Sequence, residues 1–179
     1  MARLRRREPR PQLPPAAVAA LGLGKGERVL QFATDRTSGD LVVATTFAVA
    51  VVSPEGDLRW RRPWHDVDTG VWQDEAATLT VTWVGSRRAT QWSFPEQRTL
   101  LPETLRERVQ ASVVLSTVLD LGRRRRGRAV IRQDLATRTL FSQRVLGPGV
   151  RGDDPAVREQ VELALAQLRE QVGLPRDHD

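Results

Sequence analysis

Two histidines are all this chain offers for imidazole chemistry, and only His65 stands away from the C-terminus, beside Asp66 and Asp68. This trio is the one place where an acid–base centre or a metal would find its usual groups. On an extended strand Asp66 and Asp68 share a face, while His65 points to the other. The three therefore cannot close on one ion without a bulge. The favoured reading is a strand bend whose side chains bind nearby backbone, and an enzyme site at His65/Asp66/Asp68 is carried as an alternative. No serine lies in a G-x-S-x-G turn. The absence of cysteine excludes disulfides, thiolate zinc sites and cysteine nucleophiles together. Gly22-Leu23-Gly24-Lys25-Gly26 suggests a phosphate loop, but such a loop follows a strand and opens a helix. Here a short helix is expected before it and a strand after it, which makes it a glycine connector. Neither a catalytic constellation nor a cofactor site follows from these residues.

Binding chemistry is better represented. There are five tryptophans and no tyrosine. Trp60 lies among Arg59, Arg61 and Arg62, and it shares strand parity with Arg62, so cation and ring sit on one face. Arg59, Trp60, Arg62 and Trp64 are the candidate partner-binding residues. Arg123, Arg124, Arg125, Arg126 and Arg128 crowd a predicted hairpin tip and are the candidate polyanion-binding set. Together with Arg3, Arg5, Arg6, Arg7 and Arg10 they account for more than the chain's net charge of +6, so the remainder is mildly acidic. Nearly all the basic residues are arginine, with Lys25 the single lysine, and GC-rich codons alone would enrich arginine. The basic balance is thus weaker support for a nucleic-acid partner than its size suggests.

The elements that must position these residues are mostly strands. Residues 1–13 are charged and proline-rich and are expected to be a disordered basic tail, and 175–179 a disordered C-terminus. Between them, 14–174 is expected to be a single domain. Residues 14–21 make a helical turn or two. Alternation begins at Val29; 41–53 reads as one central strand, apolar on both faces. Residues 58–72 read as a longer strand bent near Pro63. Thr78, Thr80 and Thr82 alternate with Leu79, Val81 and Trp83 in the clearest half-buried strand, and 89–94 follows. Leu105, Val109 and Val113 repeat as on a helix, yet Val113, Leu115, Thr117, Leu119 and Leu121 alternate as on a strand. The division favoured is a helix over 102–112 and a strand over 113–121. Two strands follow, at 129–135 and 140–146. Asp154 and Pro155 then open an amphipathic helix with Val157, Val161, Leu165, Leu168 and Val172 on one stripe. The longest apolar stretch, 41–52, falls well short of the roughly 20 residues a membrane-crossing helix needs.

The run Gly24-Lys25-Gly26-Glu27-Arg28-Val29-Leu30, then Leu41-Val42-Val43-Ala44-Thr45-Thr46, then Trp64-His65-Asp66-Val67-Asp68 with Trp72, resembles bacterial pleckstrin-homology-like (PH-like) proteins. Leu105-Arg106-Glu107-Arg108-Val109-Gln110-Ala111-Ser112-Val113 and Asp154-Pro155 are similar to small actinobacterial proteins of unknown function with this domain. The resemblance covers about 20–174. It implies a mostly β (α+β) fold: a curled antiparallel sheet or barrel of about seven or eight strands, an inserted short helix and a C-terminal capping helix. It transfers no catalytic residue. Some PH domains bind phosphoinositide headgroups through a basic first hairpin loop; here Thr37-Ser38-Gly39-Asp40 has only Arg36 beside it and carries an acid, which argues against a lipid ligand. The expectation is a cytoplasmic, non-catalytic binding or scaffold module for a protein partner or a second copy. A nucleic-acid accessory role for the arginine clusters is the alternative.

Overall fold

The computed structural model describes residues 12–95, 98–122 and 125–175. Helix α1 (Pro15–Leu21) begins on a proline and ends at Gly22 in the left-handed conformation. Four strands follow as one antiparallel sheet in the order β1 (Val29–Thr34), β2 (Leu41–Thr45), β3 (Ala48–Val52), β4 (Leu58–Pro63). The expected single strand over 41–53 is therefore a hairpin. The reason is Thr45: its hydroxyl accepts the N–H groups of Phe47 at 3.2 Å and Ala48 at 2.9 Å, which reverses the chain in the middle of the apolar run. Both strands are apolar on both sides because both faces are covered. Val42, Ala44, Val49 and Val51 enter one core, whereas Val43, Ala50 and Val52 pack under α1 with Ala17 and Leu21.

The expected long strand over 58–72 is also two. β4 ends at Pro63, one turn of 3-10 helix spans Trp64–Asp66, and β5 (Val67–Gln73) starts a second sheet with β6 (Thr78–Trp83) and β7 (Thr90–Ser93). Proline cannot extend the ladder. The next residue, Trp64, is drawn fully inside, its indole N–H donating to the carbonyl of Thr45 at 3.0 Å. The two sheets face each other across the main core and are stitched at their far side by Asp35, whose carboxylate accepts the Ser93 N–H at 2.8 Å.

Helix α2 (Leu101–Ser112) closes that core with Leu101 and Leu105. It approaches β5 closely because residue 70 is glycine; a Cβ there would lie 2.4 Å from Leu105 Cδ2. The chain then turns directly into β8 (Val113–Asp120), as the alternation over 113–121 predicts. β8, β9 (Arg126–Gln133) and β10 (Leu140–Leu146) form a third antiparallel sheet, β9 central. Helix α3 (Pro155–Val172) lays Val157, Val161, Leu165 and Leu168 on one face of this sheet.

The fold is thus mostly β with three helices, the last C-terminal, but the strands do not close into a barrel. There are ten strands among the described residues rather than seven or eight, in three separate sheets. The C-terminal helix covers the third sheet alone; α2 covers the main core. Among the described residues no helix is long and apolar enough to cross a membrane.

Candidate functional site

Strand alternation on β4 sends Arg61 to one side and Trp60 and Arg62 to the other. Arg61 is consumed structurally. Its Nη2 lies 2.5 Å from Glu27 Oε2, and its Nη1 donates to the Leu21 carbonyl at 2.9 Å. The Glu27 side chain is fully covered and also accepts the Thr45 hydroxyl and, at 3.0 Å, the Gly24 N–H. Burial alone would raise its pKa; the hydrogen bonds from Thr45, Gly24 and Arg61 outweigh this and hold it below the ordinary glutamate value. The glycine connector of 22–26 is therefore already occupied by the chain's own carboxylate.

On the opposite face Trp60 joins two buried indoles. Its ring meets Trp83 edge-on, centroids 5.4 Å apart, and stacks on Trp92 at 6.1 Å. The Arg62 guanidinium lies over Trp83 at 4.6 Å and at 5.9 Å from the Trp60 centroid. The β6–β7 hairpin supplies the other wall. Thr90 Oγ1 accepts the Trp83 indole N–H at 2.9 Å and fixes that ring; Ser86 Oγ accepts the Arg88 N–H at 3.1 Å and shapes the turn. Trp60, Arg62, Trp83, Ser86, Arg88 and Thr90 line a half-open cavity of about 290 Å³. No acid lines it, and neither Arg62 nor Arg88 has a carboxylate partner among the described residues. The site is an indole floor under the Arg62 guanidinium, with Arg88 on the facing wall.

The structure separates the other residues named from sequence. Arg59 sits at an irregularity of β4, more than half exposed and 3.6 Å from Asp40, outside the cavity. Trp64 is core. Arg123 and Arg124, like Arg3 to Arg10 and His178, lie outside the described residues. Arg125 is bound to Asp154 at 3.0 Å and Arg128 to Asp68, which ties the hairpin to α3 and β9 to β5. Arg126 is exposed opposite Asp120.

His65, Asp66 and Asp68 are not brought to one point. His65 Nε2 is 3.8 Å from Asp66, and its Nδ1 is 3.8 Å from Asp134, a neighbour from the β9–β10 turn that sequence reasoning did not single out. Asp68 turns away to Arg128. Burial would raise the Asp134 pKa, but the N–H groups of Thr137 and Ala136 and the nearby imidazole lower it below the usual aspartate value. Among the described residues no group of histidine and acids could hold a metal ion.

Sequence reasoning also missed Arg132, a buried cation on β9, and the cavity wall of Ser86, Arg88 and Thr90. The signal for that wall was present in part, since a two-arginine turn (Gly85-Ser86-Arg87-Arg88) precedes a strand carrying Trp92. No family model, no curated protein and no solved structure matches this chain.

Proposed function

We propose that the chain is a non-catalytic, PH-like binding module of the cytoplasm, and that its cavity at Trp60, Arg62 and Trp83 receives a carboxylate-bearing apolar segment of a protein partner. The PH-like reading is supported by the two packed antiparallel sheets of β1–β7, with α2 across their open end. The observation that carries the binding reading is the Arg62 guanidinium held over Trp83 with no acid among the described residues to neutralise it. Arg61, on the other face of the same strand, is by contrast paired with Glu27. A guanidinium over apolar rings, with the Arg88 side chain on the same cavity wall and no carboxylate partner for either among the described residues, fits a ligand that is anionic and apolar within one residue or two: a C-terminal carboxylate, or an acid beside a large side chain. The cavity, about 290 Å³, is at the small end of ligand sites and fits such a group rather than a nucleotide cofactor.

Two observations weigh against the other readings. Arg125 and Arg128 spend their charge on Asp154 and Asp68, which depletes the cluster a nucleic acid would grip. Asp68 is diverted from His65, which weakens an acid–base centre.

The test is selection from a displayed random peptide library, with free C-termini and with internal segments. The reading expects enrichment of sequences pairing a carboxylate with a large apolar residue, and loss of their binding in Arg62→Ala. Enrichment of no sequence class, or binding indifferent to Arg62, would overturn it.

A further inference from the structure

We propose that the partner segment seated in the cavity is flanked by further carboxylates, and that Arg87, exposed beside the cavity on the β6–β7 turn, is the residue that selects them. This inference rests on the cavity reading and names the partner as an acidic segment.

The two stretches of chain that build the site carry no acid. Residues 58–65 and 76–95 contain five arginines and neither aspartate nor glutamate. Two of the five are answered from elsewhere, Arg61 by Glu27 and Arg59 by Asp40 at 3.6 Å. Arg62, Arg87 and Arg88 are exposed, and among the described residues none of them has a carboxylate within ion-pair distance. Convergence distinguishes these three from a scatter of surface charge. Arg62 from β4 and Arg88 from the hairpin line one cavity, and Arg87 adjoins Arg88. The turn that carries them is braced: Ser86 N–H donates to the Trp83 carbonyl at 3.1 Å, and Ser86 Oγ accepts the Arg88 N–H at 3.1 Å. Charges on a braced turn need little ordering when a partner arrives.

A single carboxylate in the cavity does not balance this charge. A space of about 290 Å³ admits an acid beside one large side chain. That group answers one guanidinium and leaves a surplus of two. Arg88 lines the cavity and Arg87 does not, so Arg87 meets what lies outside it: the residues on either side of the seated one. Carboxylates there complete the complementarity and steer the encounter.

A nucleic acid is the other polyanion, and the rings argue against it. Bases stack on open aromatic faces, whereas Trp83 and Trp92 are each 5% exposed and the Arg62 guanidinium lies over Trp83.

The test uses the full chain and two fluorescein-labelled peptides, four glutamates or four glutamines followed by Leu-Phe with a free C-terminus. At low salt the glutamate peptide should bind about tenfold more tightly. Salt at about 0.5 M should erase most of that difference, because screening then acts within a few ångströms. Arg87→Ala should weaken the glutamate peptide about threefold and leave the glutamine peptide unchanged. Arg87→Lys should retain the wild-type preference, since an exposed position of this kind needs a charge rather than a fork. Arg62→Ala should weaken both peptides. Equal affinity for the two peptides, or an Arg87→Ala variant that holds the glutamate peptide as tightly as the wild type, would overturn the acidic partner; the cavity reading survives that result if Arg62→Ala still weakens both. Binding of neither peptide would overturn both readings. Tighter binding of an oligothymidylate than of the glutamate peptide, lost in Arg87→Ala, would overturn the inference by giving the turn to nucleic acid.

Discussion

The Nη1 of Arg132 donates to the hydroxyl of Ser112 at 2.6 Å, and both side chains are buried. Ser112 is the last residue of α2, and Arg132 lies in the middle strand of the third sheet. The same guanidinium donates to the Val67 carbonyl on β5 at 2.9 Å and to Gln143 on β10 at 3.0 Å. Gln143 in turn donates to the His65 carbonyl at 3.0 Å. One cation thereby connects α2, β5, β9 and β10 through neutral acceptors. Burial, with Arg128 nearby, pulls its pKa below the ordinary guanidinium value, while Asp68 and Asp66 oppose the shift.

Replacing this side chain should be among the costliest single changes in the protein. Arg132→Met keeps the bulk but leaves Val67 O, Ser112 Oγ and Gln143 Oε1 without their donor. The expected loss is about 3–5 kcal/mol in urea unfolding at neutral pH. Arg132→Lys should recover little of it, because one ammonium cannot reach acceptors spread over three elements. A loss under about 1 kcal/mol for Arg132→Met would show that the network is dispensable.

At the cavity, stability and recognition should separate. Arg62 is exposed and its guanidinium lies against ring faces, so Arg62→Ala should change unfolding free energy by about 1 kcal/mol or less. It should also uncover the face of Trp83, raising acrylamide quenching and shifting tryptophan emission to the red. Unchanged quenching would mean that the guanidinium does not rest on that indole in solution.

Glu27 gives a pH signature with a definite sign. Its folded pKa lies below the ordinary glutamate value, so the unfolded chain takes up its proton first as pH falls. Its stabilisation is complete above the unfolded value, about 4.5, and fades as pH drops through the folded one. Glu27→Gln should cost about 1–3 kcal/mol at neutral pH and flatten the acid limb of the stability curve. A variant whose acid limb parallels the wild type would remove Glu27 from that role.

Asp154 has two duties that can be told apart. Its carboxylate caps α3 by accepting the Ala156 N–H at 3.0 Å, and it binds Arg125. Asp154→Asn keeps a capping oxygen and loses the ion pair; Asp154→Ala loses both. Hydrogen exchange in the first turn of α3 should quicken in the alanine variant and stay near wild type in the asparagine variant. Equal exchange in both would assign the protection to Arg125.

The sequence was most informative where one local period carried the answer. The stripe from Val157 to Val172 marks α3, the alternation of Thr78 to Trp83 marks β6, and the change of period at 112/113 marks the junction of α2 with β8. Shared parity placed Trp60 and Arg62 on one face before any coordinates. It was least informative at reversals hidden inside apolar runs. Nothing in the composition of 41–53 announces that Thr45 will turn the chain with its own hydroxyl, and the strand count suffered there and again at Pro63.

What sequence alone determined, then, is which side of each segment seeks burial and which residue types stand together along the chain. Tertiary structure alone decided the division into three sheets, the pairing of Arg125 and Arg128 with distant acids, the arrival of Asp134 beside His65, and the Ser86–Arg88–Thr90 wall over Trp83. Periodicity is set by backbone geometry within a few residues. Which buried face or charge meets which depends on packing between segments tens of residues apart, where many arrangements satisfy the same local pattern.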